Sequence, residues 1–157
     1  MPKIYYERRY TTVKAMEYRT GPHTKYKIEY HFVWVTKYRY QLLTGDVARR
    51  LRELIRQTCL LFEIEIIRGV ISKDHIHIFI SAPPTISPSD IMRRIKGRTS
   101  SKIFEEFPYS QKRYWGRHFW ARGYLCVTAR ELTKHMIEEY LDHHFEAMDN
   151  PDFEIEG

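Results

Sequence analysis

The chain lacks the features that would place it in a membrane or in an oxidising compartment. Its 157 residues include only two cysteines, Cys59 and Cys126, and both lie among apolar neighbours. Two such cysteines make neither a disulfide framework nor a paired-cysteine metal site, so we interpret them as reduced core residues. No apolar run approaches the roughly 18 residues of a membrane helix, and the N-terminus lacks the apolar stretch of a secretory signal. These absences predict a cytoplasmic protein with no membrane partner.

Internal repeats and low-complexity tracts are also absent, and the length suits one domain. Positive charge and tyrosine are in excess: 26 lysines and arginines stand against 20 acidic residues, the net charge is +6, and 12 of the residues are tyrosine. Cationic side chains bind phosphates and aromatic rings stack on unpaired bases, so this composition favours a nucleic-acid partner. A protein that merely has a basic surface is the alternative on composition alone.

Hydrophobic periodicity predicts an alternating series of strands and helices. Side chains that alternate or cluster in the manner of strands predict strands over 26–35, 62–71, 74–82 and 119–128. Apolar residues at helical spacing predict one helix from Thr44 to Leu61 and a second from Ser87 to about Phe107. A capping-box pattern over 128–131 opens a last helix.

The order of these elements predicts an α+β fold, a ferredoxin-like split βαβ sandwich with an additional C-terminal helix. Both central helices would cover one face of the sheet, and the other face would remain free for a ligand, a partner or the extra helix. We expect residues 1–25 to form an irregular N-terminal arm, 26–149 the domain and 150–157 an acidic tail. Fold alone does not define function.

Two histidines within the third strand are the first candidates for a site. His75 and His77 alternate with isoleucines, so they share the free face, about 6–7 Å apart at their Cα atoms. Two imidazoles at this spacing can share a divalent ion, although a pair of half-exposed structural histidines would show the same spacing. A metal site usually needs a third ligand.

The C-terminal helix offers that ligand. Tyr140 and His144 are four residues apart and share one helix face. A helix packed across the free face would present His144 as the third metal ligand and Tyr140 beside the ion. A tyrosine placed there can attack a phosphate whose oxygen a cation holds, forming a covalent phosphotyrosine. Tyr140 as a core residue and His143 as a competing ligand are the alternatives.

Several short motifs, in order and spacing, resemble the single-tyrosine HUH transposases of the IS-two-hundred/IS-six-hundred-five group. The similarity spans about residues 25–145. The stretches that carry it are YHFVWVTKYR at 30–39, HIHIFISAPP at 75–84, SPS at 87–89, RIKGR at 94–98, YWG at 114–116, WARGY at 120–124 and IEEYL at 137–141.

The resemblance implies an enzyme, a transposase that cleaves and rejoins single-stranded DNA at insertion-sequence ends. It implies a homodimer that recognises hairpins, a 5′-phosphotyrosine intermediate and a free 3′ hydroxyl, and Mg²⁺ or Mn²⁺ as cofactor. His75 and His77 match the family's histidine pair and Tyr140 matches its nucleophile. His144 stands where the family often has glutamine, which leaves the metal preference open because imidazole favours softer ions than an amide oxygen does.

Charge supports a DNA substrate, since cations along the chain can contact phosphates and make binding salt-dependent. The predicted contacts are Arg39, Arg93, Arg94, Lys96, Arg98, Arg117 and Arg122. Tyr114, Trp115 and Tyr124 are candidates for stacking on bases.

Two alternatives to a mobile-element transposase stay open at this point. One is a domesticated repeat-associated tyrosine transposase with the same chemistry, which genomic flanks would distinguish. The other is a non-catalytic ferredoxin-like nucleic-acid-binding protein whose histidines are structural, which metal binding would distinguish.

Overall fold

The computed structural model describes residues 4–7, 18–109, 118–128 and 134–148, with side chains described for 18–109, 118–128 and 135–142. The strands are β1 (Ile4–Glu7), β2 (Arg19–Thr20), β3 (Lys25–Tyr26), β4 (Ile28–Val35), β5 (Glu65–Ile71), β6 (His75–Ala82) and β7 (Leu125–Val127). The helices are α1 (Gly45–Leu61), α2 (Pro88–Glu106) and α3 (Lys134–Met148), and a short 3₁₀ turn spans Lys37–Arg39. No helix within these segments has the length and apolar character to cross a bilayer.

The main sheet has five antiparallel strands in the order β1-β5-β6-β4-β7. Four of them, with α1 after β4 and α2 after β6, have the connectivity of a split βαβ fold. The predicted ferredoxin-like α+β sandwich with an additional C-terminal helix is therefore confirmed. The hairpin from β5 to β6 closes at Ser72, whose N–H donates to the carbonyl of His75 at 2.9 Å.

The core lies between the sheet and the two central helices. From β4 it takes Phe32 and Trp34, and from β6 it takes the three alternating isoleucines. The helices contribute apolar residues at the predicted spacing; these are Val47, Leu51, Leu54 and Ile55 from α1 and Ile91, Ile95 and Ile103 from α2. The Ser87 hydroxyl caps α2 by accepting from the N–H of Asp90 at 3.1 Å, as the sequence predicts.

The end of α1 differs from its prediction. The helical spacing of the apolar residues of α1 also predicts a buried Leu61, but Leu61 is 64% exposed. The chain turns two residues later at Glu63, whose φ is 56°. Ile64 is buried in its place, and β5 begins at Glu65 rather than at Phe62. The apolar spacing of the second helix likewise predicts a buried Phe107, which is half-buried at the end of α2.

The expected irregular arm contains strands. Ile4–Glu7 forms the edge strand β1, paired with β5 from Ile4 opposite Ile71 to Glu7 opposite Arg68. β2 and β3 pair with each other as a small separate ladder. The pairing of β1 depends on a sheet edge more than 60 residues away in sequence, which local periodicity does not report.

The last strand of the sheet is shorter than predicted. Trp120 makes only an isolated bridge to Thr36, and regular pairing with β4 is confined to Leu125–Val127. Between the bridge at Trp120 and the strand at Leu125, the chain is not paired as a strand. The Lys96 ammonium group donates to the carbonyls of Ala121 at 3.0 Å and Gly123 at 2.6 Å. These carbonyls therefore point at α2, and Gly123, with φ of 80°, makes the turn that this requires.

Candidate active site

The face of the sheet opposite α1 and α2 carries a group of imidazoles. Along β6, His75 and His77 are half-buried and alternate with Ile76 and Ile78, which belong to the core. The two histidines therefore share the face that the central helices leave uncovered. In the antiparallel register Val33 lies opposite His77 and Val35 lies opposite His75.

A third histidine belongs to this group, and sequence reasoning missed it. The sequence does not single out His31, whose Nδ1 lies 3.2 Å from Nε2 of His77 and whose ring stacks on Phe79 with 4.1 Å between centroids. His31 is 2% exposed. Alternation along β4 indicated its face, but the pairing of β4 with β6 decides which side chain it meets.

The environment of His77 favours its neutral form. Burial, together with weaker electrostatic effects of His31, Arg68 and His75, lowers the pKa of His77 from 6.5 to about 4. A neutral imidazole carries a nitrogen lone pair at physiological pH. Metal coordination and hydrogen-bond acceptance both require that lone pair.

Asp74 orients the other imidazole. Its Oδ1 lies 2.8 Å from Nδ1 of His75, and its Oδ2 accepts a hydrogen bond from Nε of Arg39 at 3.1 Å and lies 3.0 Å from Nη2 of the same ion pair. Burial by itself would raise the pKa of Asp74, but the hydrogen bond to His75 and the charge of Arg39 outweigh it and hold the pKa below its usual value. Asp74 is therefore a carboxylate, and it directs the Nδ1 proton of His75 toward itself.

The turn that carries Arg39 has unusual backbone geometry. Tyr38 and Arg39 have φ of 55° and 51°, so two consecutive non-glycine residues lie in the left-handed region. Such a residue costs on the order of 1 kcal/mol and persists only where its surroundings impose it. Thr36 imposes it here: its hydroxyl donates to the carbonyl of Tyr40 at 2.8 Å, and its N–H donates to the carbonyl of Asp74 at 2.9 Å.

The helix that carries Tyr140 packs against this turn. Nη1 of Arg39 donates to the carbonyl of Leu141 at 3.3 Å, and Leu141 is buried. Tyr140 itself is half-buried, and burial raises the pKa of its phenol above the ordinary value of 10. The phenol is therefore protonated at neutral pH in this arrangement.

The available donors fit a divalent metal ion in their chemistry. The contact with Asp74 leaves the Nε2 lone pair of His75 for a ligand, and a carboxylate behind a ligating histidine is the usual arrangement in metal sites. His77 is neutral, as a ligand must be. Among the described side chains no group of three or more His, Cys, Asp and Glu could hold a metal ion. The side chain of His144, the predicted third ligand, lies outside the described residues.

The predicted DNA contacts fall in different places. The four on α2 lie on the helix-covered side of the sheet, away from the histidines: Arg93 pairs with Asp90 at 2.9 Å, Arg94 stacks on Phe62 at 4.2 Å, Arg98 donates to Gln57 at 3.3 Å, and Lys96 binds the carbonyls described above. Burial lowers the pKa of Lys96 to about 8. Arg122 is exposed, whereas Arg117, Tyr114 and Trp115 lie outside the described residues.

Arg68 is a cation on the histidine face that sequence reasoning did not single out. It is exposed on β5, directly opposite Phe79 on β6, and its charge reaches His77. A bulge at Ile67 breaks the β5–β6 register beside it. Its sequence position, within an isoleucine-rich strand, carried no signal for this placement, because only the register reveals its neighbours.

A ferredoxin-like sheet with this histidine group, connected to a tyrosine-bearing helix, has the form of a DNA transposase domain. The family model described as "Transposase IS200 like" matches residues 24–144. The chain therefore belongs to the family of IS200-like transposases, as the motifs in its sequence indicated. Membership assigns it the general activity of the family, the enzymatic cleavage and transfer of DNA in transposition.

Individual relatives agree. The chain is 31% identical over 130 residues to the ISDra2 transposase TnpA of Deinococcus radiodurans, covering 83% of this chain and 93% of the relative. It is 33% identical over 124 residues to the transposase for insertion sequence element IS200 of Salmonella typhimurium, covering 79% of this chain and 81% of the relative.

Solved structures show the same fold. A crystal structure described as a transposase from Deinococcus radiodurans superposes with a TM-score of 0.75 at 29% identity, covering 80% of this chain and 97% of that one. A REP-associated tyrosine transposase bound to a REP hairpin superposes with a TM-score of 0.52 at 19% identity, covering 79% and 68%. The second likeness concerns the fold alone.

Proposed function

We propose that this transposase cleaves and rejoins single-stranded DNA by means of Tyr140, with a divalent metal ion held by His75, His77 and His144. The observation that carries the proposal is the connection from the tyrosine helix to the histidine strand. The carbonyl of Leu141, next to Tyr140, binds Arg39, and Arg39 binds Asp74, which contacts His75. The helix with the proposed nucleophile is thereby held beside the strand with the proposed ligands.

The proposed reaction needs no co-reactant. The Tyr140 oxygen forms a bond to phosphorus while the bond from phosphorus to the 3′ oxygen breaks, which gives a 5′-phosphotyrosine and a free 3′ hydroxyl. The phenol proton is balanced by the proton on the new hydroxyl. When bound, Mg²⁺ or Mn²⁺ would withdraw charge from a phosphate oxygen and stabilise the negative charge of the transition state.

The residues of this chain supply position and protonation state. Asp74 keeps the Nδ1 proton of His75 on its own side, and burial keeps His77 neutral. Because burial also raises the pKa of Tyr140, the phenol enters the reaction protonated and loses its proton only as the new bond forms. The resting enzyme therefore holds Tyr140 as the neutral phenol.

The proposed substrate is DNA with hairpin ends, bound by a homodimer. A relative of this fold, the REP-associated transposase, is bound to a REP hairpin, which supports a hairpin substrate here. On the histidine face, exposed Arg68 supplies a cation for a backbone phosphate near the scissile bond. The homodimer and the cytoplasmic location rest on the family resemblance and on composition.

Replacing Tyr140 with phenylalanine tests the proposal. The enzyme is mixed with Mn²⁺ and single-stranded DNA from the regions that flank its gene, and covalent adducts are resolved on a denaturing gel. We expect wild type to give an adduct with single-stranded but not duplex DNA, and Tyr140→Phe to give none while its DNA affinity stays within about twofold.

The matched control is Tyr109→Phe, which removes the hydroxyl of an exposed tyrosine and is expected to behave as wild type. An adduct of undiminished yield in Tyr140→Phe would exclude Tyr140 as the nucleophile. DNA binding without cleavage in wild type would favour the non-catalytic alternative.

A further inference from the structure

Arg39 contacts two elements that are far apart in sequence. Its Nε donates to Oδ2 of Asp74 at 3.1 Å, its Nη2 forms an ion pair with the same oxygen at 3.0 Å, and its Nη1 donates to the carbonyl of Leu141 at 3.3 Å. The side chains of Arg39 and Asp74 are only 22% and 14% exposed. This charge pair is therefore shielded from competing water and ions more than a surface pair is.

Each partner of Arg39 is adjacent to a residue of the proposed reaction. Asp74 contacts Nδ1 of His75 at 2.8 Å, which sets the tautomer and the ring orientation of that imidazole. Leu141 follows Tyr140 on α3, so a hydrogen bond to the Leu141 carbonyl also holds the backbone next to the nucleophile. A single guanidinium thus contacts the supports of both groups.

The backbone at Arg39 indicates that this placement is imposed. Tyr38 and Arg39 both hold positive φ, a conformation that non-glycine residues rarely adopt and that clusters at functional sites. Hydrogen bonds from Thr36 and Lys37 hold the start of this turn. Thr36 binds the carbonyl of Asp74, and the N–H of Lys37 donates to the carbonyl of Phe119 at 3.0 Å.

We propose that Arg39 is a positioning residue that docks the tyrosine helix on the histidine strand and orients His75 through Asp74. The sequence suggested a phosphate contact for Arg39, whereas this role rests on its Nε and Nη1 donating to protein acceptors. The inference rests on the proposed function for its catalytic consequence, although the docking of α3 stands on the hydrogen bonds alone.

Arginine suits this role and lysine does not. The planar guanidinium presents donors in several fixed directions, so it reaches a carboxylate on one side and a carbonyl on another. A lysine would keep the charge, and with it most of any attraction to DNA, but a single ammonium group would not span both acceptors in the same geometry. Arg39→Lys therefore separates positioning from phosphate binding.

The experiment compares Arg39→Lys and Arg39→Gln with wild type and with Arg49→Gln. The control removes one exposed arginine whose partner is the neighbouring Asp46 on α1. Four quantities are measured on the full chain: hydrogen exchange of the α3 amides, Mn²⁺ affinity, single-turnover cleavage rate, and hairpin-DNA affinity as a function of salt.

We expect both Arg39 variants to exchange the α3 amides about tenfold faster, since a hydrogen bond to a charged donor is lost. Mn²⁺ affinity and cleavage rate should each fall about 10- to 100-fold, the usual effect of removing an outer partner of a metal ligand. Hairpin affinity and its salt dependence should match wild type within about twofold, as should every property of Arg49→Gln.

A DNA contact would give the opposite pattern: Arg39→Gln would weaken hairpin binding and reduce its salt dependence, and Arg39→Lys would restore both. That pattern, or α3 exchange unchanged in both variants, would overturn the inference. If Tyr140→Phe still formed an adduct, the proposed function would fail while the exchange measurement would continue to test the docking. The two failures are therefore distinguishable.

Discussion

The two faces of β6 differ in the kind of side chain they bury. Toward α1 and α2 the strand presents Ile76, Ile78 and Ile80, each at most 1% exposed. Toward the other side it presents His75 and His77, which are half-buried beside Asp74 and His31. Burial of the isoleucines stabilises the fold, whereas burial of an imidazole disfavours its charged form and sets its chemistry.

Residues that stabilise the fold and residues that carry the proposed chemistry are therefore direct neighbours along one strand. Side chains one residue apart point to opposite faces, so neighbouring substitutions report on different properties of the protein. The histidine face also carries the ion pair of Arg39 with Asp74 and a turn in which two consecutive residues hold positive φ. Two substitutions and one change of pH test whether the two faces are separable.

The largest effect is expected from His77→Gln on activity. Loss of a ligating imidazole should lower the cleavage rate about a thousandfold, because the charge stabilisation supplied by a bound metal is worth several kcal/mol. Mn²⁺ titration and a single-strand cleavage assay measure this. At pH 7 the free energy of unfolding should change by less than about 1 kcal/mol, since the imidazole of His77 is not part of the hydrophobic core. Wild-type cleavage by this variant would contradict the assignment of the site.

Ile78→Ala, one residue along, should have the reverse profile. Ile78 is 1% exposed within the core, so truncation leaves a cavity and should lower the free energy of unfolding by about 2–5 kcal/mol. Urea denaturation measures the loss. Cleavage per folded molecule should stay near wild type at low temperature. A loss of cleavage equal to that of His77→Gln in folded protein would show that the two faces are not separable.

The smallest effect is on acid stability. The pKa of His77 is about 4 in the folded chain, below the ordinary 6.5, so between these values the unfolded chain binds a proton that the folded chain excludes. The free energy of unfolding should therefore fall as the pH drops from 6.5 to 4. At about 1.4 kcal/mol per pKa unit, the stability lost through His77 reaches roughly 2–3 kcal/mol at pH 4.

Urea denaturation at several pH values, on wild type and on His77→Gln, measures this contribution, with His23→Gln as the matched control. The slope between pH 6.5 and 4 should be shallower in His77→Gln. Identical slopes for wild type and His77→Gln would show that the imidazole is not excluded from protonation by the fold.

Much of the fold could be predicted because its signals are local. The alternation of isoleucine and histidine along β6 predicts which residues enter the core, and the serine cap followed by proline predicts where α2 begins. The family motifs indicated the transposase family, which the family model and the relatives confirm. The assignments of Tyr140, His75, His77 and His144 remain predictions that the proposed experiments test.

Other features could not be predicted because they depend on which elements meet. His31 reaches His77 only because β4 and β6 pair in one particular register. The sequence suggested a phosphate contact for Lys96 and carried no signal that its ammonium group donates to the carbonyls of residues 121 and 123. The edge strand β1 lies in what the sequence indicated as an irregular arm.

The order of the central strands and helices, the buried face of β6 and the family of the chain all follow from the sequence alone. These follow from periodicity and short motifs, which act over a few neighbouring residues. The contacts of Arg39 depend on the tertiary structure, because its partners Asp74 and Leu141 lie 35 and 102 positions further along the chain. Hydrogen bonds act over about 3 Å, and only the folded chain brings such distant groups within that range.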